Sequence, residues 1–295
     1  MTSPSSALGA IAMNPRASVP AARRIIVKLG TQVVVDTDGR PALSRLYGLM
    51  ESVAALRQRG AQPLLVSSGA VGLGARQLGL QPRDRPLALA QKQACAAVGQ
   101  GQLMALYQEG FARLGLCAAQ VLLTEDDFSD PLRHLNLRHT LETLLELGAI
   151  PVLNENDTVS TLELERPDPG PDPGPRPIFS DNDHLSALVA AHLEADLLIL
   201  LSDVSALHTE DPGQNPSAAP LAWVPFGADL PVNLAGTSPG GRGGMASKVA
   251  AARQAAQAGV PVALASGLVP RILDQILAGE AVGTFFQCAE KGVLS

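Results

Sequence analysis

The chain has 295 residues, 46% hydrophobic and 17% charged, with a formal net charge of -6 at pH 7. That balance is ordinary for a folded globular chain, and the length suffices for one large α/β domain or two smaller ones. It excludes a dedicated nucleic-acid surface, because no long basic block exists to neutralise phosphates, and no apolar run is long enough to span a bilayer.

Residues 1 to 20, MTSPSSALGAIAMNPRASVP, combine small residues and prolines with no acidic side chain. Arg16, Arg23 and Arg24 give this stretch a transit-peptide flavour, but it has no apolar h-region, so residues 1–23 are expected to be an untargeted, disordered start. Ile25 to Val35 predicts a strand interrupted at Lys28-Leu29-Gly30. Leu43 to Arg59 predicts a helix closed by Gly60, and Pro63 to Val66 a short strand entering Ser67-Ser68-Gly69-Ala70. Leu87 to Leu114 reads as helix in two pieces, parted around Gly99 to Gly101. Ala118 to Leu123 is a strand, Leu135 to Leu147 a helix ending at Gly148, and Ile150 to Leu153 a strand running into Asn154-Glu155-Asn156-Asp157.

Residues 166–177, RPDPGPDPGPRP, cannot be helix or central strand, since proline removes donors and fixes φ. Asp181, Asn182 and Asp183 then open a helix carrying Leu185, Leu188 and Val189, and the apolar run Leu197 to Leu201 ends in Ser202-Asp203. An unbroken apolar run of that length is what a parallel strand covered on both faces requires. A glycine-rich stretch, residues 234–244, leads into a last helix-strand unit over Ser247 to Ala265. Alternation of this kind implies α/β architecture, a largely parallel sheet with helices on both faces. Ligands in such folds bind beyond the carboxyl ends of the strands. The two permissive stretches, 166–177 and 234–244, flank the polar residues found there and are placed to act as lids.

Several polar groups carry a functional reading and a plain one. Gly240 to Gly244 runs into Met245-Ala246-Ser247-Lys248. Free N–H groups at a helix N-terminus attract anions, whereas a lysine in the first turn opposes the helix dipole unless an anion is bound. Glycine loop and misplaced cation together favour phosphate binding over a flexible linker. Lys28, near the end of the first strand, could simply snorkel, but with Lys248 it would supply a second cation. Ser67-Ser68-Gly69-Ala70 could present hydroxyls and amides to a ligand or cap the next helix. Asn154 to Asp157 could hold a small polar substrate or form an Asx-rich turn. Ser180 to Asp183 matches a capping box, which accounts equally well for that acidic cluster.

Cys95, Cys117 and Cys288 are odd in number and widely spaced, so neither a disulfide framework nor a CxxC site is indicated, and a cytoplasmic location is expected. The histidines show no HExxH spacing, and no metal site built from protein side chains is expected. P-loop, dinucleotide, protein-kinase and GxSxG signatures are all missing.

The motifs VKLGT (27–31), VSSGAVGLG (66–74), KQACAAVGQGQLM (92–104), QVLLTEDDF (120–128), LNENDTV (153–159), SDNDHLSALVA (180–190), LLILLSDVSALHTEDP (197–212) and GRGGMASK (241–248) occur in one order between Arg24 and Phe286. In this they resemble the amino-acid kinase family, and within it the glutamate 5-kinases. The resemblance implies a three-layer αβα sandwich around a mainly parallel sheet of about eight strands, with a kinase domain over residues 24–286 and a tail over 287–295. It implies phosphorylation of the side-chain carboxylate of L-glutamate by ATP with Mg²⁺, giving L-glutamyl 5-phosphate, the first step toward proline. By the same resemblance, Lys28 and Lys248 stabilise the transferring phosphoryl group and Asp183 orients them. Ser68, Asp157 and Asn182 match glutamate-binding positions. Lys28, Ser202, Asp203, Arg242, Gly243, Gly244, Met245, Ala246, Ser247 and Lys248 match the nucleotide site. Feedback inhibition by proline and a dimeric or tetrameric assembly are also implied. Many members carry a further C-terminal PUA-type domain, which is not found after Phe286 here. Val204 to His208 stands where the family usually has an aspartate-glycine pair and a tyrosine. Two other readings stay open: a kinase of this fold with another amino-acid or small-carboxylate acceptor, and a catalytically weak glutamate or proline sensor.

Overall fold

The computed structural model describes residues 15–80, 87–159, 181–212, 215, 217–230 and 244–289. Its first half comprises β1 (Arg24–Leu29), α1 (Thr31–Val34), α2 (Leu43–Gln58), β2 (Gln62–Ser67), α3 (Ala70–Gln77), α4 (Leu89–Arg113), β3 (Ala118–Leu123), α5 (Asp126–Ser129), α6 (Pro131–Glu146) and β4 (Ile150–Glu155). The second half adds α7 (Asn182–His192), β5 (Leu197–Ser202), β6 (Leu207–His208), β7 (Pro220–Leu221), β8 (Trp223–Val224), α8 (Met245–Gln257), β9 (Val262–Ser266), α9 (Ile272–Leu277) and β10 (Thr284–Phe286).

Eight strands form one sheet in the order β3-β4-β2-β1-β5-β9-β10-β8, and β6 pairs with β7 separately. β1 lies parallel to β2 and to β5; β10 runs antiparallel to β9. Strand periodicity divides the core into two layers. Ile25, Val27 and Leu29 face Met50 of α2, Tyr107 and Phe111 of α4, and Ile276 of α9. Ile26 faces the opposite side with Leu198 and Leu200, against Leu141 of α6, Val189 of α7 and Val249 of α8. Leu197 to Leu201 have no exposed surface at all, which requires cover on both faces of β5. The expected αβα sandwich with a mainly parallel sheet is therefore the fold.

Four local expectations are corrected. Lys28 does not interrupt β1 but belongs to it, paired in register with Val66 and Leu200; the chain turns afterwards, at Gly30, into α1. α4 is one continuous helix of 25 residues. Its glycines serve packing: a Cβ on Gly99 would lie 1.8 Å from the Ala70 carbonyl oxygen of α3, and one on Gly74 would lie 1.8 Å from that of Cys95. The absence of side chains there lets α3 and α4 touch backbone to backbone. α6 begins at Pro131, earlier than expected, because Asp130 caps it by accepting from the N–H groups of Leu132 and Arg133. Finally, residues 15–23 are part of the fold, where a disordered start was expected. A 3-10 turn spans Val19–Ala21, and the Arg16 guanidinium donates to the carbonyls of Glu280, Ala222 and Gly283. Residues 1–14, the proline-rich stretch, most of the glycine-rich stretch and the last residues of the tail lie outside the described residues.

Candidate active site

The parallel topology gathers the carboxyl ends of β1, β2, β4 and β5 at one edge of the sheet, and the N-termini of α7 and α8 meet above it. Strand alternation puts Lys28 on the same face as Ile26, toward those two helices. Its Nζ lies 2.5 Å from Asp183 Oδ1. Lys248 Nζ, from the first turn of α8, lies 3.3 Å from Asp183 Oδ2. All three side chains are buried, at 6% exposure for Lys28, 1% for Asp183 and 8% for Lys248. Burial alone would raise the Asp183 pKa, but the charges of Lys28 and Lys248 and their hydrogen bonds outweigh it and hold the carboxyl below its ordinary value. The carboxylate therefore stays ionised at neutral pH and is shared by both lysines. Desolvating such a set is costly, a cost that an incoming anion would offset.

The helix termini are locked together by one residue. Asp181 is the N-cap of α7: its Oδ1 accepts from the N–H groups of Asp183 and His184, each at 3.0 Å. Its Oδ2 accepts from the Ser247 hydroxyl in the first turn of α8. The cap is thus Asp181, and Ser180, expected to begin a capping box, lies outside the described residues. At α8 the N-cap is Gly244, which has no side chain to offer its own helix.

A second cluster adjoins the triad. Asn182 Nδ2 donates to Ser68 Oγ at 3.1 Å and to Asn154 Oδ1 at 2.8 Å. Asn154 Nδ2 donates in turn to Gln100 Oε1 at 2.9 Å. Ser68 is placed by its backbone, whose N–H donates to the Leu29 carbonyl at 3.0 Å. Before α3, Gly69 adopts φ +110°, and a Cβ there would meet Val34 Cγ1 at 2.9 Å, so the turn that presents Ser68 requires glycine. Asp157 is half-buried in the turn that follows β4. Asn182 Oδ1 is buried without a partner among the described residues.

Ser202 ends β5, its hydroxyl donating to the exposed Asp203 at 3.1 Å. Beyond it, Leu207 is buried and its N–H donates to Thr284 Oγ1 at 2.8 Å, while His208 Nδ1 lies 3.1 Å from the Ala206 carbonyl oxygen. The structure thus brings Lys28, Lys248, Asp183, Ser68 and Asn182 together with Ser247, and sets Ser202 and Asp203 at the end of the neighbouring strand. Gly244, Met245 and Ala246 open α8; Arg242 and Gly243 lie outside the described residues. Among the described residues no cluster of three or more His, Cys, Asp or Glu side chains is placed to hold a metal ion. Sequence reasoning left Asn154 undecided and did not single out Gln100. The polar end of a buried strand was the available signal for Asn154, while nothing set Gln100 apart from the other glutamines of α4.

Residues 23–266 match the model of the amino acid kinase family. The chain belongs to that family. Among its curated relatives, the glutamate 5-kinase of Symbiobacterium thermophilum is 46% identical over 265 residues, covering 90% of this chain and 95% of that protein. The glutamate 5-kinase of Thermus thermophilus is also 46% identical, over 92% of this chain and 69% of its own length. Among solved structures, the isopentenyl phosphate kinase of T. acidophilum superposes with a TM-score of 0.58 at 15% identity, over 90% of this chain and all of that one. The UMP kinase of Bacillus anthracis gives 0.55 at 14%, over 90% and 96%. At such identities these two speak for the fold alone.

Proposed function

We propose that this chain transfers the γ-phosphoryl group of ATP to the side-chain carboxylate of L-glutamate, giving L-glutamyl 5-phosphate, the first step toward proline. The observation that carries the reading is the convergence of Lys28 and Lys248 on buried Asp183 in a chain 46% identical to glutamate 5-kinases. A carboxylate is ionised at neutral pH and needs no base; the difficulty is bringing one anion in line against another. Lys28 and Lys248 neutralise charge on the transferring group, and Asp183 holds their ammonium groups at fixed positions. A glutamate carboxylate oxygen bonds to the γ-phosphorus as the bond to the ADP oxygen breaks, so no proton changes hands.

Ser68, Asn182 and Asp157 hold the glutamate, with Asp157 reading the ammonium group. Ser202, Asp203 and the segment Arg242 to Lys248 hold the nucleotide, together with Lys28. The N–H groups opening α8 and the two lysines form an anion-binding set that fits the phosphates of ATP. Mg²⁺ would arrive on those phosphates as part of the substrate and add charge neutralisation there. The catalytic unit is taken as residues 24–286, since β10 belongs to the sheet. Cysteines outside any disulfide fit a cytoplasmic setting. Proline shares the ammonium and carboxylate head of glutamate, so feedback inhibition through the same pocket belongs to this reading, as does a homo-oligomer of two or four chains.

The test is hydroxylamine trapping of the acyl phosphate with MgATP and L-glutamate. Glutamate-dependent hydroxamate, competed by proline, is the expected result. Hydroxamate with other carboxylates in preference to glutamate would change the acceptor, and glutamate binding without any hydroxamate would make the protein a sensor.

A further inference from the structure

A single backbone group fixes the polarity of the amide chain Gln100–Asn154–Asn182. The Glu155 N–H can only donate, and it donates to Asn154 Oδ1 at 3.0 Å. That identifies the Asn154 oxygen without ambiguity, which amide side chains seldom allow. Asn154 must then turn its Nδ2 to Gln100 Oε1, 2.9 Å away, and Asn182 must turn its own Nδ2 to Asn154 and Ser68. Two consequences meet at the open end. Asn182 Oδ1 is a buried acceptor with no partner among the described residues. Ser68 Oγ, having accepted from Asn182, keeps its own hydrogen for an external acceptor.

The pair therefore offers one acceptor and one donor side by side. A ligand carrying an ammonium group and a carboxylate on the same carbon fills both; a dicarboxylate without the amine leaves Asn182 Oδ1 empty. Resting on the carboxylate-kinase reading above, we infer that Gln100 is a positioning residue that sets selectivity for an amino-acid acceptor. It acts by anchoring the Nδ2 end of Asn154 in the orientation that the Glu155 N–H dictates, and through Asn154 it holds the outward carbonyl oxygen of Asn182. Gln100 engages only through its oxygen, for its buried Nε2 has no partner among the described residues. An amide retained for stability alone would be expected to satisfy both of its ends.

The experiment compares L-glutamate with glutarate, which keeps both carboxylates and lacks only the amine. Wild type, Gln100→Leu and Gln100→Glu are assayed by ADP release and hydroxamate formation, with thermal melting to verify folding. Gln100→Leu should raise KM for glutamate about tenfold or more, the equivalent of one hydrogen bond. It should leave KM for ATP nearly unchanged and lower the preference for glutamate over glutarate several-fold, Asp157 keeping the remainder. Gln100→Glu keeps an oxygen facing Asn154 and should retain that preference. Equal losses for both acceptors in Gln100→Leu would overturn the assignment, as would loss of preference in a folded Gln100→Glu protein, which decides the matter if the leucine variant does not fold. A wild type that gives no glutamate-dependent product overturns the kinase reading itself, and this assignment with it; that outcome is visible before any variant is made.

Discussion

The helices α7 and α8 meet at their N-termini, yet the two ends are finished differently. α7 is closed by the protein: Asp181 takes two of its first N–H groups, and the anionic Asp183 in its first turn agrees with the helix dipole. α8 opens on Gly244, which lacks a side chain to cap with, and carries Lys248 in its first turn, against the dipole. A terminus satisfied by its own residues serves as scaffold, whereas one that brings cation and N–H groups together suits an anion from outside. On the proposed function the two termini have opposite jobs, α7 orienting and α8 receiving phosphate, with Asp181 to Ser247 as the tie between them.

The most damaging change to the scaffold side is Asp183→Asn. It removes the buried carboxylate that both lysines share, and breaking a buried pair in this way typically costs about 3–5 kcal/mol. Urea unfolding should show that loss, and MgATP should restore stability to the variant more than to wild type. A variant of unchanged stability would mean that the triad is solvated and that the contrast between the termini is weaker than drawn.

Acid tests the two ends of α7 separately. Burial, with His134 and Arg138 adding to it, pushes the His192 imidazole down to about 4, so below about 6.5 the unfolded chain binds a proton that the folded chain refuses. Stability therefore falls as pH drops from about 6.5 toward 4. After allowance for solvent the effect is about 1–2 kcal/mol, and His192→Gln should flatten the curve in that window. Asp183 behaves otherwise. Its folded pKa is lowered, by Lys28 and Lys248 overcoming burial, so its contribution is present above the ordinary carboxylate range and is lost only as pH falls through the folded value beneath it. Thermal melts across pH 3–7 would separate the two if the His192 variant removes the upper limb and leaves the lower one.

Asp181→Ala should cost about 1 kcal/mol as a lost N-cap, seen as a lower Tm, and should also raise KM for ATP because α8 loses its tie. Ser247→Ala is expected to do least. It should shift Tm slightly, leave the α7 cap intact and raise KM for ATP less than Asp181→Ala does. Equal effects of the two on KM would place the whole tie in the serine hydroxyl.

The layers of the fold were legible because burial and period are sequence-encoded: Leu197 to Leu201 announces a two-faced strand, and Leu185, Leu188 and Val189 announce a helix face. What stayed hidden depended on partners far along the chain. Gly99 resembles a helix break until the Ala70 backbone is seen against it. Lys28 resembles the end of a strand until Asp183 supplies a buried counter-charge that keeps it inside β1. Asp130 gives a capped start to α6 that hydrophobic periodicity, which begins only at Leu135, could not register. Lys28 and Lys248 were weighed as phosphate-binding cations from their own positions, the resemblance assigned Asp183 to them, and all three sit together in space, whereas Gln100 lay inside one of the motifs with nothing to separate it from the other glutamines of its helix.

The central claim is that Lys28 and Lys248 stabilise the transferring phosphoryl group, and kcat for glutamate-dependent ADP release in Lys28→Ala and Lys248→Ala tests it most directly. With folding verified, each should lose about 10²–10³-fold in kcat, the scale for removing one preorganised electrostatic contact from a transition state, while still binding glutamate. A kcat within a few-fold of wild type in either folded variant would contradict the account.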